Sequence, residues 1–425
     1  MLKKQVNLNN RNNAGLGSLV TSFANDMDAV NNINKKLVSY FGLKSNYKNN
    51  TPSSASPPLY ISLQIIRKAL CVIKNKFHCK DNVNDFPSYT LKISSEIICP
   101  YISIIFNECL KQSRFPKAWK DSLITAIPKS KQVTINNLRP ISILPIMSKL
   151  FEKCILMIMA KDLYKLFDGN QFGFRNNSST QCALITLQSY ITQSMDTPNN
   201  GSTIMISFDI SKAFDMVNHD KLIETLITND VSNHFVQLIN SYLQDRTQRV
   251  TYKSIFSEQL PINSGVPQGS VLGPVLFNIY IASLKPHNNS TKYVKFADDS
   301  TFLLTIPKSV DMLDAIKSEI DHVGQWCFTY GLSLNNSKTK IMAFTKSRTK
   351  ELKFDLKDLN TYLVTNLKIL GFTFDMKLNW HSHIDILLKT LSSRIHIFRL
   401  LKHSLTKAHL INLYFGIFQS LSFGL

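Results

Sequence analysis

Nowhere in these 425 residues is there an apolar run of about 18, the length a membrane-crossing helix needs, and the opening MLKKQVNLNN has no hydrophobic stretch of the kind a secretory leader carries. The expectation is an intracellular protein of the nucleus or cytoplasm, not secreted and without a membrane partner. Seven cysteines give an odd count with no CxxC pair, which argues against a zinc ribbon and against a disulfide framework and leaves them as reduced core residues. Acid is scarce: 29 Asp and Glu face 49 Lys and Arg, a formal charge of +20. Such a surplus calls for a polyanionic partner, most simply nucleic acid. The 44% hydrophobic content excludes a disordered chain, and 425 residues suffice for two or three domains.

Residues 1–59 are rich in Asn and Ser, and SNYKNNTPSSASPP at 45–58 reads as a linker. Residues 60–119 turn to amphipathic helix, including ISSEIICPYISIIFNECLKQ at 93–112, kinked at its Pro. FPKAWKDSLITAIPKSK then passes into a strand and a basic loop. In TIMISFDI (203–210), Ile204, Ile206, Phe208 and Ile210 alternate with Met205, Ser207 and Asp209, so Asp209 is expected to end a strand on its more polar face. Two helices, the β-rich RVTYKSIFSEQLPI and the punctuated loop SGVPQGSVLGP lead to the helix VLFNIYIASL. The intermixed order lacks the βαβ period of a doubly wound sheet, so an α+β fold is expected, an antiparallel sheet backed by helices.

YVKFADDSTFLL (293–304) places two aspartates between two strand-like runs. Alone, such a pair is an ordinary hairpin loop. In one antiparallel sheet, however, the strand end at Asp209 and a hairpin tip at Asp298 and Asp299 can be neighbours. Three carboxylates brought together repel one another unless cations sit among them, and Mg²⁺ takes such hard oxygens while keeping waters and phosphate oxygens. Two such ions about 4 Å apart serve an in-line phosphoryl displacement. The histidines of WHSHI lack zinc spacing and acidic or thiol company.

FDISKAFD, SGVPQGSVLGP, YVKFADD, GLSLNNSKTKIMAF and LKILGFTFD, in this order, closely resemble the reverse transcriptase of Jockey-like non-LTR retrotransposons. FPKAWK, NLRPISILPIMSKLFEKCI and QFGFRNNSSTQCAL fit the same family in register, so the resemblance runs from about residue 85 to the end.

The resemblance implies a right-hand polymerase fold, with fingers and palm over 120–373 and the start of a truncated thumb over 374–425. No endonuclease domain and no Cys/His knuckle is read in the chain. It also implies RNA-directed DNA synthesis from deoxynucleoside triphosphates on an RNA template and a DNA primer, with two Mg²⁺ ions that Mn²⁺ can replace. Asp209, Asp298 and Asp299 match the catalytic, metal-binding acids, with the backbone carbonyl of Ile210 as an extra ligand. Phe214 matches the aromatic under the nucleotide sugar, where a ring collides with a 2′-hydroxyl. Gln268 and Gly269 match the nucleotide pocket, and Lys129 and Arg139 the fingers residues on the triphosphate. Lys338 matches a lysine near the acids, and Leu370 and Gly371 the primer-gripping hairpin. Arg175 and Arg246 are expected to face nucleic acid. The oligomeric state is left open. Two alternatives stand: a catalytically inactive nucleic-acid-binding remnant, and a viral-type RNA-dependent RNA polymerase, which needs a polar residue where Phe214 stands.

Overall fold

A computed structural model describes residues 16, 19–42, 59–75, 86–129, 132–197, 200–253, 255–344 and 362–419, and the chain divides into two compact units. Unit 1 comprises Met1–Asp168, Lys212–Ser283 and Phe328–Leu332, and unit 2 comprises Gly169–Ser211, Leu284–Cys327 and Ser333–Leu425. Among the described residues no helix is long and apolar enough to cross a membrane.

Unit 1 is built on strands β1 (Asp121–Pro128), β2 (Leu138–Ile143), β4 (Arg246–Tyr252), β5 (Ile255–Phe256) and β6 (Leu260–Ile262). They run in the order β2-β1-β4-β5, with β6 also paired to β4. β1 meets β2 antiparallel, placing Ile127 opposite Arg139, and meets β4 parallel. One side of this sheet carries helix α1 (Asp26–Val38). Its spacing is helical: Ala29, Val30, Ile33 and Leu37 are buried and pack with Ile124, Ala126, Leu138, Val250 and Tyr252 in one core. Each large aliphatic among them contributes about 1.5–3 kcal/mol by leaving water. Asn25 caps the first turn by accepting from the Asp28 N–H, and the buried Asn34 bonds both Gln248 and Glu258. The Asn-rich N-terminal stretch thus contains a core element of this unit.

Helices α2 (Leu63–Val72), α3 (Ser88–Ile93), α4 (Ser95–Lys111) and α5 (Ile146–Lys165) form the rest of its first half. Helices α7 (His219–Thr228), α8 (Asn233–Leu243) and α9 (Gly273–Tyr280) supply the second. Phe106, Phe115, Trp119, Phe151 and Tyr242 lock α4, α5 and α8 together through ring contacts of 4.6–6.0 Å between centroids.

Unit 2 is centred on β3 (Asn200–Phe208), in a sheet of order β10-β9-β3-β8-β7. Its other strands are β7 (Lys292–Phe296), β8 (Asp299–Pro307), β9 (Lys340–Phe344) and β10 (Tyr362–Leu363). β3 is antiparallel to both neighbours, and β9–β10 is the parallel pair. Helix α6 (Thr180–Asp196) lies on one face, where Ala183, Leu187 and Ile191 meet Met205, Val294, Leu303 and Met342. Met205 is therefore core, not the polar-face residue its alternation suggested. A central strand covered on both faces buries both sets of side chains. Helix α10 (Met312–Thr329), the hairpin β11 (Asn366–Ile369) and β12 (Phe372–Asp375), helices α11 (His381–Leu401) and α12 (Lys407–Tyr414), and a π-helical turn at Phe415–Gln419 complete the described chain.

Candidate active site

In unit 2 the β3–β8 ladder ends with Phe208 opposite Ser300. Asp209 follows directly after Phe208 and Asp299 directly precedes Ser300, so continuing the same register would bring the two opposite each other. Directly opposed residues of an antiparallel pair point to the same face, with Cα atoms about 4.5–5.5 Å apart. The β7–β8 hairpin closes with Phe296 opposite Asp299, so the two turn residues are Ala297 and Asp298. Asp299 is thus the first residue of a strand and not part of the tip. Ala297 sits at φ 56°, a left-handed conformation that costs an alanine about 1 kcal/mol.

Gln171 holds that turn. Its side-chain oxygen accepts from the N–H of Gly173 at 2.8 Å and of Ala297 at 2.9 Å, and its amide donates to the Ala297 carbonyl at 3.3 Å. Gly173 lies so close that a Cβ there would come within 2.3 Å of the Ala297 nitrogen. This explains the glycine of QFGFR physically. On the other side of Asp209, its carbonyl accepts from Asn335 N–H at 2.8 Å and Ser211 N–H donates to Ser333 at 2.9 Å. The resulting bridge of Ile210 with Leu334 engages the backbone of Asp209 and Ser211, leaving the Ile210 carbonyl outside it.

The electrostatics follow from this crowding. The pKa of Asp299 is raised to about 6, first by thinned hydration and then by the negative charges of Asp298 and Asp209. Because Asp299 keeps solvent contact, the repulsion is the firmer of the two causes. Lys338 answers part of that charge: its Nζ stands 3.5 Å from Asp209 Oδ2. Among the described residues no group of three or more His, Cys, Asp and Glu is placed to hold a metal ion as it stands. The donor chemistry nonetheless fits a hard divalent cation, since three mutually repelling carboxylates share one strand end and an ammonium already sits beside them.

Leu370 and Gly371 form the β11–β12 turn, at φ 49° and 92°, between the paired Ile369 and Phe372. Behind them Asp375 accepts from the N–H groups of Lys377, Asn379 and Trp380 at 2.8–3.1 Å, tying the hairpin to the start of α11. Arg175 is exposed, and its guanidinium donates to the Gly169 carbonyl at 3.3 Å.

Unit 1 gathers the expected nucleotide residues around two turns. The 214–217 turn and the VPQG loop are laced by Val266 N–H to Phe214 O and Gly265 N–H to Val217 O, each 2.8 Å. Phe214 is half-buried and stacks on Phe277 with centroids 4.2 Å apart and planes 18° from parallel. Ser142 N–H donates to the Gln268 carbonyl at 2.7 Å. Gly269, at φ 124°, would drive a Cβ to 2.5 Å from the Ser142 carbonyl oxygen, so β2 and the loop touch backbone to backbone. Lys129 and Arg139 are exposed at the β1–β2 end of the sheet.

One residue not anticipated from the sequence lies beneath this loop. The carboxylate of Asp215, 5% exposed, accepts from Gln268 Nε2 at 2.8 Å. Burial raises its pKa to about 6, against the bond from Gln268 and the charges of Lys129, Lys212 and Arg139. Its signal in the sequence was the second aspartate of FDISKAFD. Glu152 is another: fully buried, it accepts from the N–H groups of Val271 and Leu272 at 2.8 and 3.0 Å and so fixes the loop's far end. Burial pushes its carboxyl well up.

Arg246 corrects an expectation. It does not face nucleic acid but is 1% exposed, its guanidinium bonded to the Tyr242 carbonyl and stacked on that ring. As the first residue of β4, opposite Ile262, it points inward, where it lines a small recess with Asp215, Gln268 and Ser142.

The match to known sequences accords with this arrangement. The family model described as reverse transcriptase (RNA-dependent DNA polymerase) matches residues 127–374, and the chain belongs to that family. Its relatives include the RNA-directed DNA polymerase from mobile element jockey of Drosophila melanogaster, 28% identical over 69% of this chain and 33% of that one. The probable RNA-directed DNA polymerases from transposon BS and from the X-element of the same fly are also 28% identical. They cover 79% and 72% of this chain, and 38% and 34% of their own lengths. The chain therefore spans about a third of the length of the curated relatives it matches. Among solved structures, a C-terminally truncated apo telomerase from Candida tropicalis aligns with a TM-score of 0.42 and 15% identity, over 71% of this chain and 62% of that one. That likeness is too distant to carry weight.

Proposed function

We propose that the chain is the RNA-directed DNA polymerase of a non-LTR retrotransposon, extending a DNA primer on an RNA template from deoxynucleoside triphosphates. What supports this reading is that the β3–β8 ladder ends with Phe208 opposite Ser300, next to Asp209 and Asp299, that Asp298 is in the adjoining turn, and that the charges of Asp209 and Asp298 both bear on Asp299. Asp209, Asp298, Asp299 and the carbonyl of Ile210 are the groups that would hold two Mg²⁺ ions, with Mn²⁺ as a substitute. Bound there, such ions activate a primer 3′-hydroxyl and offset charge on the leaving pyrophosphate.

The chain's own residues do the rest. Lys129 and Arg139 hold the triphosphate by charge and by forked donors. Gln268, steadied by Asp215 and by Ser142, places the nucleotide, and Gly269 lets backbone approach it. Phe214, backed by the parallel ring of Phe277, fills the space a 2′-hydroxyl would need. Lys338 moderates the charge at Asp209, Leu370 and Gly371 bear on the primer, and Arg175 offers a phosphate contact. On this reading the protein works where its nucleic acids are, in nucleus or cytoplasm.

Primer extension on poly(rA) with oligo(dT) tests the proposal. The parent should extend the primer and an Asp298→Ala, Asp299→Ala double variant should not. Equal signals, or none from the parent, would identify a nucleic-acid-binding remnant instead.

A further inference from the structure

Lys212 is the one cation of FDISKAFD that no role above explains. It opens unit 1's middle segment at φ 48°, its carbonyl accepting from the N–H of Asp215 at 2.9 Å and of Met216 at 3.1 Å. Its ammonium does not run out into solvent. It lies over the ring of Tyr40, 2.8 Å from the centroid, a placement that a cation and an aromatic face favour.

Tyr40 is itself a fixed platform. It follows α1, whose apolar face is core, and its hydroxyl donates to the Ile135 carbonyl at 3.5 Å. Two residues on, Gly42 N–H donates to Ser264 Oγ at 2.6 Å, and Ser264 in turn donates to the Asp215 carbonyl at 3.1 Å. The segment after α1 is thereby bonded to the loop that carries Gln268.

The charges around Lys212 do not balance. Lys36 and Lys129 are near enough to repel it, and Lys129, Arg139 and Lys212 all act on the single carboxylate of Asp215. Three cations share one buried acid, with Lys36 a fourth beside Lys212, and that acid already spends an oxygen on Gln268. Such an uncompensated cluster at a nucleotide loop is suited to a ligand with several negative charges.

We propose that Lys212 is a further ligand for the outer phosphates of the incoming nucleotide, and that Tyr40 is its positioning residue. Without a nucleotide the ring holds the ammonium close to the loop. When a polyphosphate arrives the ammonium leaves the ring for a phosphate oxygen, a stronger, charge-assisted partner. The N-terminal helix, which lies before the family-matched residues 127–374, then takes part in substrate binding and not only in packing. This inference rests on the polymerase reading for the identity of its ligand.

The test is binding of inorganic tripolyphosphate to the full chain, measured by calorimetry at low salt without divalent metal. The proteins are the parent, Lys212→Ala, Lys212→Arg, Tyr40→Phe, Tyr40→Leu and, as a control for overall charge, Lys161→Ala on the exposed face of α5. Lys212→Ala should weaken binding about tenfold. Lys212→Arg should restore most of it, Tyr40→Phe should match the parent, and Tyr40→Leu should fall between. In primer extension, Lys212→Ala and Tyr40→Leu should raise the KM for dTTP and leave kcat nearly unchanged, which a merely structural role would not do.

Tripolyphosphate binding by Lys212→Ala equal to the parent, or reduced no more than by Lys161→Ala, would overturn the proposal. A thermal melt guards against misfolding of Tyr40→Leu, and Tyr40→Phe keeps the ring in any case. Should the parent fail to extend primers while its tripolyphosphate affinity depends on Lys212, the polymerase reading falls and the anion site stands. Should it extend primers with binding indifferent to Lys212, the site falls alone.

Discussion

The side-chain amide of Gln268 and the carboxylate of Asp215 are joined by a 2.8 Å hydrogen bond, made where Asp215 is all but removed from water. The backbone of the same loop is also held by His219, whose Nε2 bonds the Gly265 carbonyl at 2.8 Å. One buried acid and one buried imidazole thus flank the loop, and their pKa values move in opposite senses.

That pairing predicts an unusual response to acid. Burial lowers His219 from 6.5 to about 4, so the unfolded chain binds its proton first and stability falls as pH drops from 6.5 towards 4. Asp215, raised from 3.8 to about 6, does the reverse: the folded chain binds the proton first, and stability falls as pH rises from 3.8 through 6. Each effect is roughly 3 kcal/mol over its window, so in the parent they largely cancel. Asp215→Asn should therefore be more stable than the parent at pH 8 and should lose that advantage by pH 4. Urea unfolding across this range checks it; a constant difference between the two proteins would count against the buried carboxylate.

Gln171 should matter more than its distance in sequence from the acids suggests. Gln171→Leu orphans the N–H groups of Gly173 and Ala297, at a cost of about 1–3 kcal/mol each. It also frees the turn bearing Asp298, so kcat should fall well before the protein unfolds. Gly173→Ala should act alike, because its Cβ meets the Ala297 backbone. Extension rates measured beside melting curves separate the two effects.

Replacing Phe214 by Val leaves Phe277 without its stacked partner and opens the space assigned to the 2′-position. The preference for dTTP over UTP should drop by at least about tenfold. Unchanged discrimination would remove Phe214 from sugar selection.

The places of the acids were legible because both signals are local, while their reading as a metal-binding set came from the family resemblance. Asp209 closes an alternating strand, and Asp298 and Asp299 interrupt two strand-like runs, so only their meeting had to be supplied by the sheet. Arg246 was misjudged because a cation after a helix looks like a surface residue, and its inward direction depends on the pairing of β4 with β6. Gln171 escaped notice for a similar reason, since its partner Ala297 lies 126 residues away. The first 59 residues read as an Asn- and Ser-rich segment with no assigned role, ending in a linker at 45–58, yet the apolar face of α1 fits the β1–β4 sheet. Asn-rich sequence on both sides of a short helix dilutes a pattern that is plain once the helix is isolated.

The central claim is that Asp209, Asp298 and Asp299 act as one cation-binding group, and Mn²⁺ titration followed by electron paramagnetic resonance tests it most directly. The parent should bind Mn²⁺ saturably at pH 8 and more weakly below pH 6, where Asp299 takes up a proton. Asp209→Asn should weaken binding by at least about tenfold, and Asp321→Asn, on the exposed side of α10, should leave it unchanged. Binding by Asp209→Asn indistinguishable from the parent would contradict the account.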